Sequence, residues 1–328
     1  MSLASPVSSG TPVAPRAPVV DLSASVIVCA YTLDRWEMLA AAVRAAAAQR
    51  PAPCEVLLVV DHNPELEARA ALELDDSGVR VVANRHGRGL SGARNSGVEL
   101  AGGDVVAFLD DDALPAEGWL AALVRPFADP DVLATGGLAR PAWSDGRPRW
   151  FPEEFDWVVG CSYRGQPEAQ AEVRNPLGCN MALRRSVFAE VDGFREGVGR
   201  IGTRPLGCEE TELCIRLRQR WPGSRVLLVP DAVVDHHVTP ERHRFAYFGR
   251  RCFAEGISKA TVTGEVGTAD GLSSERAYVT RTLPRGVVAG MIESLRTRRA
   301  DGLGRAATIV AGCAITVAGY VRGRLAGT

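Results

Sequence analysis

The sequence predicts an α/β protein built on a mostly parallel sheet with helices on both faces. Three observations carry this expectation. Short β-branched apolar runs recur at Ser25–Ala30, Cys54–Val60, Val79–Ala83 and Asp104–Leu109, and helix-like stretches separate them. The runs are continuously apolar rather than alternating, as in strands covered on both faces. Their C-terminal ends carry polar or acidic groups, at Ala30-Tyr31-Thr32, Asp61 and Asp110-Asp111-Asp112. Open sheets of this kind bind ligands beyond the carboxyl ends of their strands.

The elements follow in order. Asp34, with Glu37 three residues on, is expected to cap a helix running through the alanine-rich stretch to about Gln49, which Pro51 and Pro53 end. Pro64 suits the first turn of a helix through Leu74. The glycine-rich loop Asn84–Gly89 leads into a helix from about Ser91, broken by Gly102-Gly103. A helix is expected over Trp119–Phe127 and a strand over Val132–Leu138. Residues 140–175, rich in Pro, Trp, Gly and charge, suggest irregular or short antiparallel segments with a mobile loop. Gly178–Leu183 leads to a short helix near Ser186–Val191, and Asp192-Gly193-Phe194 is a turn. Residues 195–207 hold five glycines or prolines and are expected to form a flexible loop. Glu209-Glu210 opens a helix with Leu213, Leu217 and Trp221 on its inward side. Val226–Val229 is a further strand, and Asp231–Val238 contains His236-His237.

The aspartate triple is the most telling feature. Three carboxylates at the tip of a buried strand repel one another and lose hydration, so something cationic is needed to keep them ionised. A hard divalent cation would supply that charge and could also hold a diphosphate. Taken alone, the triple is equally compatible with a solvated acidic turn.

Charge is unevenly distributed. The net charge is −1, but residues 241–328 carry 14 basic and 7 acidic side chains (+7), leaving 24 basic and 32 acidic (−8) elsewhere. The whole-chain charge argues neither for nor against a nucleic-acid partner, and none is expected; an acidic body with a basic tail suits a protein that holds a metal and touches an anionic surface. Of the 38 basic residues only Lys259 is lysine, a bias that reflects composition. The eight cysteines form no Cys-x-x-Cys pair, which suggests reduced, buried thiols in a cytosolic protein. Residues 1–23 lack a signal-like pattern and are expected to form a disordered leader.

In their order, these motifs resemble a known family. A first strand ends in Ala30-Tyr31-Thr32 and a second in Asp61. Gly89-Leu90-Ser91-Gly92-Ala93-Arg94-Asn95, Phe108-Leu109-Asp110-Asp111-Asp112, Asn180-Met181-Ala182 and Gly193-Phe194 follow. Cys208-Glu209-Glu210 then precedes a leucine-containing helix, and a histidine comes late. Over residues 24–240 the chain is similar to the family 2 glycosyltransferases, inverting enzymes with the GT-A fold, a Rossmann-like, mostly parallel sheet. The resemblance implies a nucleoside-diphosphate-sugar donor, a UDP-sugar first with dTDP- or GDP-sugars as alternatives, a hydroxyl acceptor, Mn2+ or Mg2+, and a cytoplasmic active site.

It also implies roles. Asp110 and Asp112 match the acidic positions of the family's Asp-x-Asp motif and would bind the metal, with Asp111 meeting the ribose. His236 would be a third ligand, imidazole being a fair partner for Mn2+ beside carboxylates. Ala30, Tyr31 and Thr32 would line the nucleoside pocket, and Asp61 would contact the base, against the alternative that it caps the next helix. Arg94, near a helix N-terminus, would contact the nucleotide, with Arg88 a weaker candidate. Asn180 would support the sugar or acceptor side. Glu209-Glu210 matches the family's acidic pair, and the second member, Glu210, would be the base that deprotonates the acceptor. The rival account is two acids complementing a helix dipole.

Residues 241–328 lie outside the resemblance and are expected to form a basic helical extension. The uncharged stretch Ala306–Val321 is 16 residues long, short of the ~20 needed to span a bilayer. Three fates remain open for it: packing on the body, a dimer contact, or peripheral attachment to the inner face of the plasma membrane through its arginine flanks. The function expected is transfer of a sugar to a polysaccharide, glycolipid or metabolite. The rivals are a nucleotidyltransferase, which would carry a basic glycine-rich loop near the first strand, and a non-catalytic sugar-nucleotide binder.

Overall fold

The computed structural model describes residues 22–74, 78–196, 207–266 and 277–326. Its centre is a nine-stranded sheet. In chain order the strands are β1 (Ala24–Ala30), β2 (Glu55–Val60), β3 (Val79–Ala83), β4 (Val105–Asp110), β5 (Ala113–Pro115), β6 (Val132–Trp143), β7 (Ala171–Glu172), β8 (Asn180–Arg184) and β9 (Arg225–Val238). Across the sheet they run β3-β2-β1-β4-β8-β6-β9-β5, with β7 also on β9. The strands β3, β2, β1 and β4 are parallel, whereas β8 is antiparallel to both β4 and β6.

The continuous apolar runs have the expected cause. Along β1, Val26 and Val28 enter one core with Leu39 and Val43 of helix α1 (Trp36–Ala47), Leu66 of α2 (Pro64–Glu73) and Trp119 of α4 (Trp119–Val124). Between them Ile27 turns to the opposite core, with Ala93 of α3 (Leu90–Leu100), Phe188 of α5 (Ser186–Val191) and Leu213 and Leu217 of α6 (Glu209–Arg220). Successive side chains leave a strand on opposite faces, so a doubly covered strand must be apolar throughout.

Several boundaries differ from expectation. Asp34 does not cap α1. Thr32 accepts from the Asp34 backbone N–H at 3.2 Å and caps a 3-10 turn over Leu33–Arg35 that feeds the helix. The segment 180–184, which leads as expected to the helix at Ser186–Val191, is itself a strand inserted in the middle of the sheet. Its five residues carry no turn signal, and antiparallel pairing with a distant strand leaves no local mark. β6 and β9 run to Trp143 and Val238, far beyond the short strands expected, because they pair with each other and absorb Pro230 at a register shift. The leader expectation for residues 1–21, and most of the loop expected over 195–207, lie outside the described residues. Ser23 already belongs to the body, its Oγ donating to Asp104 Oδ2 at 2.7 Å.

The extension comprises α7 (Phe245–Val266), α8 (Leu283–Thr297) and α9 (Asp301–Ala326). One apolar cluster joins Phe151, Phe155 and Val158 to Phe248, Cys252, Leu283 and Ile309, so packing continues across residue 240. Glycines set the helix spacing. A Cβ on Gly256 of α7 would lie 2.1 Å from the Thr316 carbonyl oxygen of α9, and one on Gly290 of α8 would lie 2.5 Å from that of Gly302.

Candidate active site

A cleft of about 750 Å3 opens at the carboxyl ends of β1, β2 and β4 and continues beneath the C-terminal helices. β4 ends at Asp110, the chain turns through Asp111 and Asp112, and β5 then pairs with β9, setting Ala113 opposite His236. Alternation along β9 buries His236 and leaves its neighbour His237 partly exposed. His236 Nε2 lies 3.1 Å from Asp112 Oδ1. One donor atom each from Asp110, Asp112 and His236 falls within 4.8 Å of the others. Two carboxylate oxygens suit a hard divalent cation, and the imidazole nitrogen beside them fits Mn2+ better than Mg2+, so the residues fit a divalent ion of the expected kind.

The acids also have internal counter-charges. Arg35 reaches Asp111 at 2.8 Å and Asp112 at 3.3 Å, and Arg242 reaches Asp112 at 3.1 Å. Burial works against ionising Asp112, but His236, Arg242 and Arg35 outweigh it and hold its carboxyl well below the usual range. Burial likewise opposes charge on His236, yet Asp112 raises its proton affinity well above that of a free imidazole. Asp111 moves the other way: burial, then the Asp112 charge, push it up to about 7 despite Arg35. The triple is therefore not three equivalent acids.

A second acidic pair stands across the cleft. Cys208, at φ 76°, turns the chain into α6, whose first residues are Glu209 and Glu210. Glu209 is buried, and its Oε1 accepts from Arg94 Nη1 at 2.9 Å. Arg94 also donates to the Gly178 carbonyl at 2.9 Å and lies 3.7 Å from Asp110, which ties the metal end of the cleft to the α6 end. Glu210 is half-buried on the cleft wall and accepts from Thr211 Oγ1 at 3.1 Å. Burial, then the Glu209 charge, raise its pKa to about 7. A carboxyl poised there can take a proton near neutrality.

The other expected residues separate into two groups. Ala30, Tyr31 and Asp61 line the cleft with Arg94 and Asp111. Tyr31 is partly exposed, with the Arg35 guanidinium 5.4 Å from its ring centre. Asp61 does not cap α2, a task done by Asn63, whose Oδ1 accepts from the Leu66 N–H at 3.1 Å. Instead Asp61 Oδ2 accepts from the Gly89 N–H at 3.0 Å ahead of α3, and Oδ1 accepts from Asn84 at 2.7 Å. Arg88 turns to the backbone of the same corner, donating to the His62 carbonyl at 2.9 Å. Thr32 is a cap outside the cleft lining. Asn180 is fully buried: its Oδ1 accepts from Trp119 Nε1 at 2.7 Å and its Nδ2 donates to the Leu138 and Ala232 carbonyls. With these partners it locks β8 to its neighbours, outside the cleft lining. An inward position on an interior strand forces that role.

Sequence reasoning missed Arg35 and Arg242. Each lies more than 70 residues from the aspartates it meets, and neither sits in a motif. The strong acidity of the triple was the available signal, since buried carboxylates need paired cations. The thiol expectation holds for Cys161, Cys179, Cys208, Cys214 and Cys252, which are buried and free; Cys54 is free and exposed.

Comparison with known proteins agrees with this geometry. The family model described as glycosyl transferase family 2 matches residues 25–192. A glucosyl-dolichyl phosphate glucuronosyltransferase of Haloferax volcanii is 38% identical over 240 residues, covering 73% of this chain and 76% of that protein. A pre-mycofactocin glycosyltransferase of Mycobacterium tuberculosis is 30% identical over 52% of this chain but only 36% of its own length. Among solved structures, a mannosyltransferase of Pyrobaculum calidifontis in complex with GDP-Man and Mn2+ superposes with a TM-score of 0.58. It is 20% identical, over 92% of this chain and 88% of that one. GalNAc-T7 with UDP, GalNAc and Mn2+ gives 0.51 at 19% identity, over 78% of this chain and 54% of that one. The fold is thus GT-A, and the chain belongs to glycosyl transferase family 2 and is a glycosyltransferase.

Proposed function

We infer that the protein moves a sugar from a nucleoside-diphosphate-sugar donor to a hydroxyl acceptor by a single, inverting displacement. The observation that carries this reading is the pairing of two acidic groups across one cleft. The Asp110–Asp112–His236 end can hold a diphosphate through a cation, and the Glu210 end offers a lone base.

In this reading the nucleoside lies against Ala30 and Tyr31, with Asp61 at the base and Asp111 at the ribose. Asp110, Asp112 and His236 would hold Mn2+ or Mg2+, which supplies positive charge to the departing diphosphate. The chain's own residues do the rest. Arg94 fixes Glu209 and thereby the first turn of α6. Glu210, one residue on, stands free of that ion pair and takes the acceptor proton as the hydroxyl attacks the anomeric carbon. Arg35 and Arg242 balance the aspartates until the donor arrives and remain beside its phosphates. A UDP-sugar is the first donor to try; the complexes solved for the two structural neighbours contain UDP or GDP-Man. The relevant compartment is the cytoplasm, where such donors are made.

A thermal-shift panel of UDP-, dTDP- and GDP-sugars with and without Mn2+ tests the reading, because a ligand that binds the folded state stabilises it by mass action. One donor should raise Tm in a metal-dependent way. No shift with any nucleotide sugar in the presence of Mn2+ would refute it.

A further inference from the structure

The outer surface of the C-terminal hairpin is built opposite to that of a water-soluble helix pair. On α8 the exposed large apolar residues are Val288, Met291, Ile292 and Leu295, spaced three and four apart along one face. On α9 they are Leu303, Val310, Val317, Val321 and Leu325, again along one face. The inward faces hold mostly small residues: Gly286, Gly290 and Ser294 on α8, and Gly302, Ala306, Thr308, Gly312 and Gly319 on α9, with Leu283 and Ile309 the large aliphatic side chains buried among them. Soluble helices bury their large aliphatic side chains and expose polar ones; small residues inside with aliphatics outside is the pattern of helices that meet lipid.

Charge adds a second observation. Residues 278–326 contain eight arginines against only Glu293 and Asp301. Arg285, Arg296, Arg298, Arg322 and Arg324 are exposed toward the ends of the two helices. An apolar strip with arginines at its ends complements an anionic bilayer surface. α9 is 26 residues long, but Gly312, Gly319 and Gly323 hold it against Phe248, Phe253 and Ile257 of α7 over most of that length. That docking suits a helix lying on a membrane.

The cleft supplies the third observation. Beyond Glu210 its wall turns apolar, with Phe155, Trp157, Tyr278, Val279, Leu283 and Val317. Val317 belongs both to that wall and to the outer strip, so the apolar lining continues onto the outer face.

We propose that the outer face of α8 and α9 lies on an anionic lipid bilayer and that the acceptor is membrane-borne, its hydrocarbon part entering the cleft past Val317. The acceptor half of this proposal rests on the function inferred above, and the bilayer half stands independently.

The test uses the full chain. In sedimentation with vesicles, the protein should pellet with phosphatidylcholine containing phosphatidylglycerol, pellet far less with phosphatidylcholine alone, and be released as salt rises. The triple variant Val288→Asp/Ile292→Asp/Val310→Asp should stay in the supernatant while keeping its donor-induced thermal shift, which shows the fold and donor site intact. Wild-type protein that stays in the supernatant with both vesicles overturns the proposal. So does a dimer on gel filtration that the triple variant converts to monomer without any vesicle binding. For the acceptor, dodecyl β-D-glucoside below its micelle concentration should stabilise the donor-loaded protein, methyl β-D-glucoside should not, and Val317→Asp should weaken the shift. Equal shifts from both glucosides, or none from either, overturn the lipid-borne acceptor. Loss of all donor response with vesicle binding retained would refute the glycosyl-transfer reading and leave the bilayer contact standing.

Discussion

Arg94 Nη1 donates to Glu209 Oε1 at 2.9 Å, and both side chains are almost fully buried. The pair spans 115 residues of sequence and joins the helix that opens beside β1 to the helix that carries the acidic pair. Among the described residues Glu209 Oε2 has no hydrogen-bond partner, so Arg94 is the main support there for that charge.

Removing Arg94 should therefore cost far more than a surface ion pair. Arg94→Met leaves a buried carboxylate without its cation, and a loss of about 3–5 kcal/mol is expected. Urea unfolding reads it directly. Arg94→Lys should lose less but still destabilise, because an ammonium cannot bond Glu209 and the Gly178 carbonyl in the same planar fork.

Glu210→Gln keeps the shape of the side chain and removes the base. Turnover should fall about 10²–10⁴-fold while donor affinity stays near wild type. A Glu209→Gln variant with the larger loss of turnover at unchanged stability would reverse the assignment.

The Glu210 carboxyl is raised to about 7 by burial and by Glu209. A base works only when deprotonated, so kcat/KM should climb with pH below about 7, roughly tenfold per unit, and level off above it. The Glu210→Gln variant should lose that limb. A wild-type profile flat from acid to neutral pH would count against this base.

Asp112 meets Arg35, Arg242 and His236. Asp112→Asn should abolish the Mn2+-dependent rise in Tm and should also lower Tm without metal, since three cationic groups lose their shared counter-charge. Nucleotide-sugar binding that stays metal-dependent in this variant would remove Asp112 from the ligand set.

The close approach of α7 and α9 can be opened at one position. Gly256→Val places a Cβ 2.1 Å from the Thr316 carbonyl oxygen and 2.5 Å from the Tyr320 nitrogen, both backbone atoms that cannot yield easily. A destabilisation of about 1–3 kcal/mol is expected. Unchanged stability would mean that the extension is not part of the cooperative core.

Much of the parallel half of the sheet was legible because local sequence dictates it. Strands buried on both faces must be continuously apolar, and β1, β2 and β4 are; Gly102-Gly103 and the proline pair mark where helices stop. The antiparallel half was not legible: β8 enters the sheet between β4 and β6 through pairings with residues far away in the chain. The aspartate triple and the acidic pair were visible because consecutive acids beside apolar runs leave a mark. The strand-tying bonds of Asn180 were not legible, since an amide in a motif looks the same whether it lines a cleft or ties strands together.

Sequence alone thus determined the class of fold, the family resemblance and the two acidic ends of the cleft, all set by residues adjacent in the chain. Only the tertiary structure decided which charges face each other. Arg35 and Arg242 reach Asp112 across 77 and 130 residues, and the helices after residue 240 close over the cleft. Electrostatic pairing and the packing of small residues depend on distance in space, and chain order carries no record of it.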